Sequence, residues 1–344
     1  MASQISTEGL VTKVKSFILT NPNEKGLDHM IKESIIKVDR DIRKFDSLHP
    51  LAWDIQPYSG LRTVCPANIS GITQADPAVF TAASVDTDIT GHGFDNHSTI
   101  TDIVTIDGIV GDEDSNNIEA LNGRQFLFQY VSATTFTLKT LDGLDALSTS
   151  SLTEYSSGGY IYHSGYVLNT TTILASVDSQ WTFKKILPCP RFDGHPTEPI
   201  SNPEDDDGFW LNISNAQRPR RWRYWQNMAS PSSVSHYLFW YPAANNNYNL
   251  AFHYQREIPD ISTWSSSTYP FHPPEVHDAI WHGALAELIG LSKRMERQGE
   301  KGIVIRMEVM FAEHWMSQFA QDRINIINLS RSMMGAQGGG GMTG

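Results

Sequence analysis

The chain has 344 residues, with 26 Lys and Arg against 38 Asp and Glu and a formal net charge of −12. That length suits roughly two to three domains, and that acidity argues against a surface that wraps nucleic acid, which needs clustered cations. Two cysteines, Cys65 and Cys189, are no disulfide framework and read as free thiols made in a reducing cell, and no run approaches the ~18 apolar residues of a membrane-spanning helix.

The first twenty residues lack a basic start followed by an unbroken apolar run, so no signal peptide is expected. A short helix is expected over residues 7–19, stopped by the turn formers of 21–26. From 27 to 45, Leu27, Ile31, Ile35, Val38, Ile42 and Phe45 recur every three or four residues, one stripe of an amphipathic helix. Its polar side offers the pairs Asp28–Lys32, Glu33–Lys37 and Lys37–Asp41, each four apart. Residues 48–62 hold too many turn formers for a long helix, and Trp53 is expected to anchor the first helical layer.

The composition then changes. Residues 63–123 contain no Lys or Arg, and helical periodicity disappears. Phe126, Phe128 and Tyr130 share one face of an alternating run, SATT at 132–135 reads as a reversal, and Phe136 and Leu138 resume the alternation. Asn122-Gly123 and Asp142-Gly143 are turn dipeptides. An all-β insert is expected over about 72–162, closing in SSGGY. A β platform follows, with expected strands at 167–178, 181–188, 235–242 and 248–256, and a loop at 195–208. Helix returns after Pro273-Pro274, with Val276, Ile280, Ala284, Leu288 and Leu291 in a stripe. A break at 297–302 leads to a last helix marked by Val304, Met307, Phe311, Trp315 and Phe319, ending near Leu329. The glycine-rich end reads as a flexible tail.

The fold class expected is therefore α+β: a helical layer built from both chain ends, a β platform and an inserted all-β domain. The boundaries are 1–63 (helical), 64–164 (insert), 165–270 (platform), 271–330 (helices completing the layer) and 331–344 (tail).

Chemistry-bearing clusters are few. His272, Glu275, His277, Asp278 and His282 crowd one segment, but His277 and His282 are five apart, about 140° around a helix, where a helical zinc pair needs three or four. Helix-start acids and surface histidines explain them, and no metal is expected. The acidic runs at 111–117 and 204–208 lack calcium-loop spacing. No nucleophile elbow, phosphate loop or dinucleotide fingerprint occurs, so neither catalytic residues nor a cofactor is expected. The one basic and aromatic cluster is Arg218, Arg220, Arg221, Trp222, Arg223, Tyr224 and Trp225. Such a mix can stack bases and pair phosphates, or anchor a protein interface, where Trp, Tyr and Arg are enriched. The acidity of the chain favours a subunit or partner interface.

The order of these pieces carries a resemblance. RYWQ at 223–226 leads into LFWYP, the tyrosine-rich YNLAFHYQR follows, and then a proline-led helix with Gly283, Ala284 and Ala286. With the first long helix, these resemble the head-to-tail adaptors of tailed bacteriophages, nearest the tail tubular protein A group of short-tailed phages. The likeness covers roughly two thirds of the chain. It implies a structural virion protein: a ring, commonly of twelve copies, joining portal to tail, with DNA passing through its channel on ejection. Implied partners are further copies of itself, the portal and the nozzle or next tail ring, with no membrane, at the head-to-tail interface of a virion made in a bacterial cytoplasm. In that family the long helices and C-terminal tail reach toward the portal, which here points to Met333, Met334 and Met342. Residues 121–143 and YSSGG resemble a small β module inserted in many phage structural proteins, and its implied task is contact with neighbours or tail fibres. The alternative readings are a carbohydrate- or receptor-binding virion protein, with Tyr155, Tyr160 and Tyr162 stacking on sugars, and another tail ring such as a nozzle or stopper.

Overall fold

Side chains spaced three and four apart must find a common apolar neighbour, and those near the two chain ends find each other. The computed structural model describes residues 4–18, 26–44, 51–95, 100–111, 117–168, 182–200, 216–230, 233–257, 259–298 and 309–338. They form an α+β fold of two units, a helical one drawn from both chain ends and a β one between.

The helical unit holds α1 (Thr7–Ser16), α2 (Leu27–Ile42), α3 (Pro274–Gln298) and α4 (Val309–Gly338). Ser6 caps α1, its Oγ accepting from Gly9 N at 3.1 Å. On α2, Leu27, Ile31, Ile35 and Ile42 are fully buried and Val38 nearly so. They pack with Val276, Ile280, Ala284 and Leu288 of α3 and with Trp315 and Ile326 of α4. Each such aliphatic side chain contributes roughly 1.5–3 kcal/mol, whereas an exposed ion pair contributes at most about 1 kcal/mol. Burial therefore holds the layer. Trp53 packs against the same core, as expected.

The expected ion pairs within α2 give way to pairs between helices. Lys37 meets Glu287 of α3, and Asp28 meets Lys15 at 2.6 Å, because long side chains reach a packed neighbour as easily as their own next turn. Two backbone anchors join distant residues: Ile5 N–H donates to His277 Nδ1 at 3.0 Å, and Ala52 N–H to Ser330 Oγ at 2.8 Å. The second fixes α4 at the point where a flexible tail was expected. With Ser330 buried and bonded, the helix runs on through Met333 and Met334 to Gly338, so residues 331–338 are helical. Phe45, Val304, Met307 and Met342 lie outside the described residues.

In the β unit, β1 (Ile55–Arg62) precedes β2 (Ala67–Ile72), β3 (Val79–Ser84), β4 (Ile100–Gly111), β5 (Gln125–Tyr130), β6 (Thr135–Lys139) and β7 (Tyr155–Leu168). Strands β2-β3-β6-β5-β4-β7 pair antiparallel in that order, and β7 pairs back onto β2, closing a six-stranded barrel. Phe80, Phe126, Phe128, Phe136 and Leu138 fill it. The alternation read from the sequence is this filling, except that Tyr130, at the end of β5, is exposed.

After the barrel come β8 (Thr182–Ile186), β9 (Arg191–Phe192), β10 (His195–Pro196), β11 (Glu198–Pro199), β12 (Arg221–Ser230), β13 (Ser233–Tyr241) and β14 (Asn249–Glu257). Strand β13 pairs with β12 on one side and with β7 on the other. The boundary expected at 164/165 thus falls inside a continuous strand, and SSGGY is not an exit but part of β7. Insert and platform share β7, which makes one nine-stranded sheet of the two. The two ends of the barrel do meet: Val64 N–H donates to His163 Nδ1 at 3.0 Å. The second sheet runs β1-β14-β9-β10, with β8 also on β14.

Helix α3 passes closest to its neighbours at Gly283, where an added Cβ meets Phe319 Cε2 and Val38 Cγ1, each at 2.6 Å. Gly283→Ala is expected to destabilise the protein by about 1–3 kcal/mol, although Ala is roughly 1 kcal/mol the better helix former. Urea unfolding checks this; an unchanged or higher midpoint would mean that the helices separate without cost.

Candidate functional site

The arginine-aromatic cluster is a strand, and the two-residue period of a strand divides it between two faces. Trp222, Tyr224 and Gln226 of β12 stand opposite Trp240, Leu238 and His236 of β13, while Arg221, Arg223 and Trp225 stand opposite Tyr241, Phe239 and Tyr237. Trp222 is only 6% exposed. It is a core residue and leaves the expected interface, because its side of the strand faces inward. Tyr224 is half-buried and spent within the fold: it accepts from Gln226 Nε2 at 2.8 Å and its hydroxyl meets His236 Nδ1. Burial pushes the Tyr224 phenol up to about 12 and lowers His236, so both are neutral partners.

On the other face, Arg223 and Trp225 border a groove of about 380 Å³. Leu141 and Phe239 also line it, and Arg124 and Gln125 at the start of β5 complete it. The Trp225 indole is 44% exposed and leans on Tyr237 with ring centroids 5.3 Å apart. Tyr237 in turn donates its hydroxyl to Leu141 O at 2.8 Å, tying the turn after β6 to β13. Beneath the groove, Phe239 and Tyr237 pack with Ile103 and Leu127 from the outer face of the barrel. The Arg124 guanidinium lies 5.7 Å from the Phe126 ring centroid. The site is thus an apolar trough lined by two arginines and an indole, fit for a carboxylate-bearing ligand with an apolar part.

Of the cluster, the groove takes Arg223 and Trp225. Arg220 and Arg221 are exposed and Arg218 half-buried at the start of the strand. Arg124, Gln125, Leu141 and Phe239 were not legible as site residues, being ordinary members of distant strands and turns. Met333 and Met334 are half-buried on α4 and do not belong to this site.

His272 and His277 are buried and His282 partly so, not the surface histidines expected, while Glu275 and Asp278 are exposed. His277 is fully buried, accepting from Ile5 N and donating from Nε2 to His272 O at 2.9 Å. His272 accepts from Trp53 Nε1 at 3.2 Å, and its Nε2 lies 3.1 Å from Asp39 Oδ1 without hydrogen-bond alignment. His282 meets Asp322 at 2.6 Å. Each ring serves a different structural contact, and among the described residues no three potential metal ligands converge. Of the acidic runs at 111–117 and 204–208, all but Gly111 and Asn117 lie outside the described residues. Tyr155 gives its hydroxyl to Ile69 O at 2.8 Å, while Tyr160 and Tyr162 pair on the barrel with centroids 5.9 Å apart. Cys65, buried, and Cys189, exposed, are free thiols. No described helix is long and apolar enough to cross a membrane. No protein-family model matches the chain, and no curated protein matches it either.

A second polar contact, unforeseen from the sequence, lies in the barrel. Asp102 Oδ1 is 3.4 Å from His163 Nε2, with both residues buried. That nitrogen's hydrogen goes to Gly165 O at 2.9 Å and Nδ1 accepts from Val64, so Asp102 Oδ1 receives no hydrogen bond among the described residues. Burial, with a smaller contribution from Asp95, raises the Asp102 carboxyl from 3.8 to about 8.

Two predictions follow from this geometry. A folded pKa above the unfolded one means that the native state alone holds the proton between about pH 4 and 8, so stability falls as pH rises through that window, by at most about 1.4 kcal/mol per unit. Asp102→Asn cannot ionise and is expected to flatten the decline; urea unfolding from pH 5 to 9 checks it, and equal slopes would assign the titration elsewhere. On β12, Trp222→Ala is expected to cost about 3–5 kcal/mol, and Trp225→Ala less than about 1 kcal/mol. Unfolding of the two variants tests the division of the strand into an inner and an outer face, and equal losses would refute it.

Proposed function

We propose that this chain is a structural virion protein that forms a ring between portal and tail and lets DNA pass through its channel. The observation that carries the reading is architectural: both chain ends return to one helical layer while the middle of the chain forms the β unit. That is the layout implied by the resemblance to head-to-tail adaptors. The arginine and tryptophan groove supports it as a contact for another tail component, since such residues dominate interface energetics when buried there. The acidity also fits, because a channel of net negative charge repels the phosphate backbone and leaves DNA mobile. Copies of the chain, the portal and the next tail ring are the proposed partners, with the nozzle or stopper position as a variant of the same class.

The carbohydrate-binding alternative rests on the Tyr160–Tyr162 pair, of which Tyr160 is 39% exposed. It is the weaker reading, because Tyr155, the third aromatic it requires, is held by its own barrel. Negative-stain microscopy of the full chain mixed with portal particles is the test. Rings seated on portals are expected at micromolar concentration. Portals without attached density would overturn the proposal.

A further inference from the structure

Beside the groove stands a projecting turn of matching chemistry. Leu144, between β6 and β7, is 80% exposed, more than any other large apolar side chain among the described residues. Asp142 and Asp145 flank it. The turn is rigid. Asp142 Oδ1 accepts from Leu144 N at 3.1 Å and from the Thr140 hydroxyl, Thr140 N donates to Asp145 O at 3.0 Å, and Gly143 N donates to Thr140 O at 2.8 Å. Gly143 supplies the positive φ of 74° that the reversal requires. A leucine displayed in water between two carboxylates loses little conformational entropy when it docks, since the backbone is already fixed.

We propose that the Leu144 turn of one copy inserts into the groove of a second copy, Leu144 over Leu141 and Phe239, with Asp142 and Asp145 facing Arg124 and Arg223. Knob and hole lie side by side, because Leu141 belongs to both the turn and the groove lining. Adjacent complementary features on one surface favour an isologous two-fold pair, in which each copy gives its knob and receives the other's. Charge selects the same partner. The groove edge is cationic in a chain of net charge −12, and the acids of the turn are among the nearest carboxylates in sequence to the lining. Two small contacts make a weak pair, with dissociation in the micromolar range. A two-fold contact closes on itself and is not the repeating contact of a ring, so it stands or falls apart from the ring reading.

The test is sedimentation velocity of the full chain from roughly 1 to 200 µM, in low salt and again at about 0.5 M, where charge pairs are screened. A monomer–dimer equilibrium is expected, weakened several-fold by salt. Leu144→Glu, a change at a site open to solvent, is expected to weaken it at least ~10-fold, as is Arg124→Glu combined with Arg223→Glu. Circular dichroism of each variant confirms the fold. A monomer at every concentration, or association indifferent to Leu144→Glu, would overturn the proposal. Loss with Leu144→Glu but not with the arginine variant would remove the groove as the knob's seat.

Discussion

Strand β7 is hydrogen-bonded on both sides, and much of the β unit follows from that. Its C-terminal part lies between β4 and β13, so tightly that a Cβ at Gly165 would meet Leu238 O at 2.6 Å and Ile103 side-chain atoms at about 3.2 Å. Only glycine fits such an approach. Once β13 is fixed there, Tyr237 and Phe239 fall against Ile103 and Leu127 on the barrel's outer face. Tyr237 then reaches Leu141 O, the turn after β6 is held, and β12 is carried alongside with Arg223 and Trp225. The groove is thus a consequence of one shared strand. Grafting the barrel on a flexible stalk would abolish it.

Each unit also buries a carboxylate next to a histidine. In the helical unit Asp39 faces His272, and its second oxygen is held by the Arg43 guanidinium. In the β unit both nitrogens of His163 are committed to the backbone at Val64 and Gly165. With no cation beside it among the described residues, Asp102 avoids the cost of a buried charge by keeping its proton. His163 in turn knits the barrel's entrance to β7 and offers its carbonyl to Trp240 Nε1 at 3.1 Å.

What was legible in the sequence was local periodicity. The stripe of α2 and the Phe126 to Leu138 hairpin are buried where their spacing placed them. What was not legible rests on pairings far apart in the chain. The histidines of 272–282 look exposed because imidazole is polar, yet His277 is buried by a bond to Ile5, 272 residues away. RWRYWQ hid a strand because aromatic side chains occupy both faces, inward at Trp222 and outward at Trp225, which flattens the alternation. The continuation of α4 past Leu329 depends on Ser330 meeting Ala52, which no propensity encodes.

Charge placement gives the groove its selectivity. From Thr63 to Gly123 the chain has no cation, and the first to follow is Arg124, which the barrel sets at the groove's edge. Arg223 arrives at the same trough from β12, by a separate route through β13. An apolar ligand that displaces water from the trough also dehydrates the arginines that line it, a loss that a carboxylate on the ligand offsets and a neutral ligand does not. The groove therefore discriminates by penalty as much as by attraction: it disfavours occupants that are merely greasy and admits those that bring negative charge beside the apolar group. In a chain of net charge −12, a groove lined by two arginines is a place where a second copy can approach.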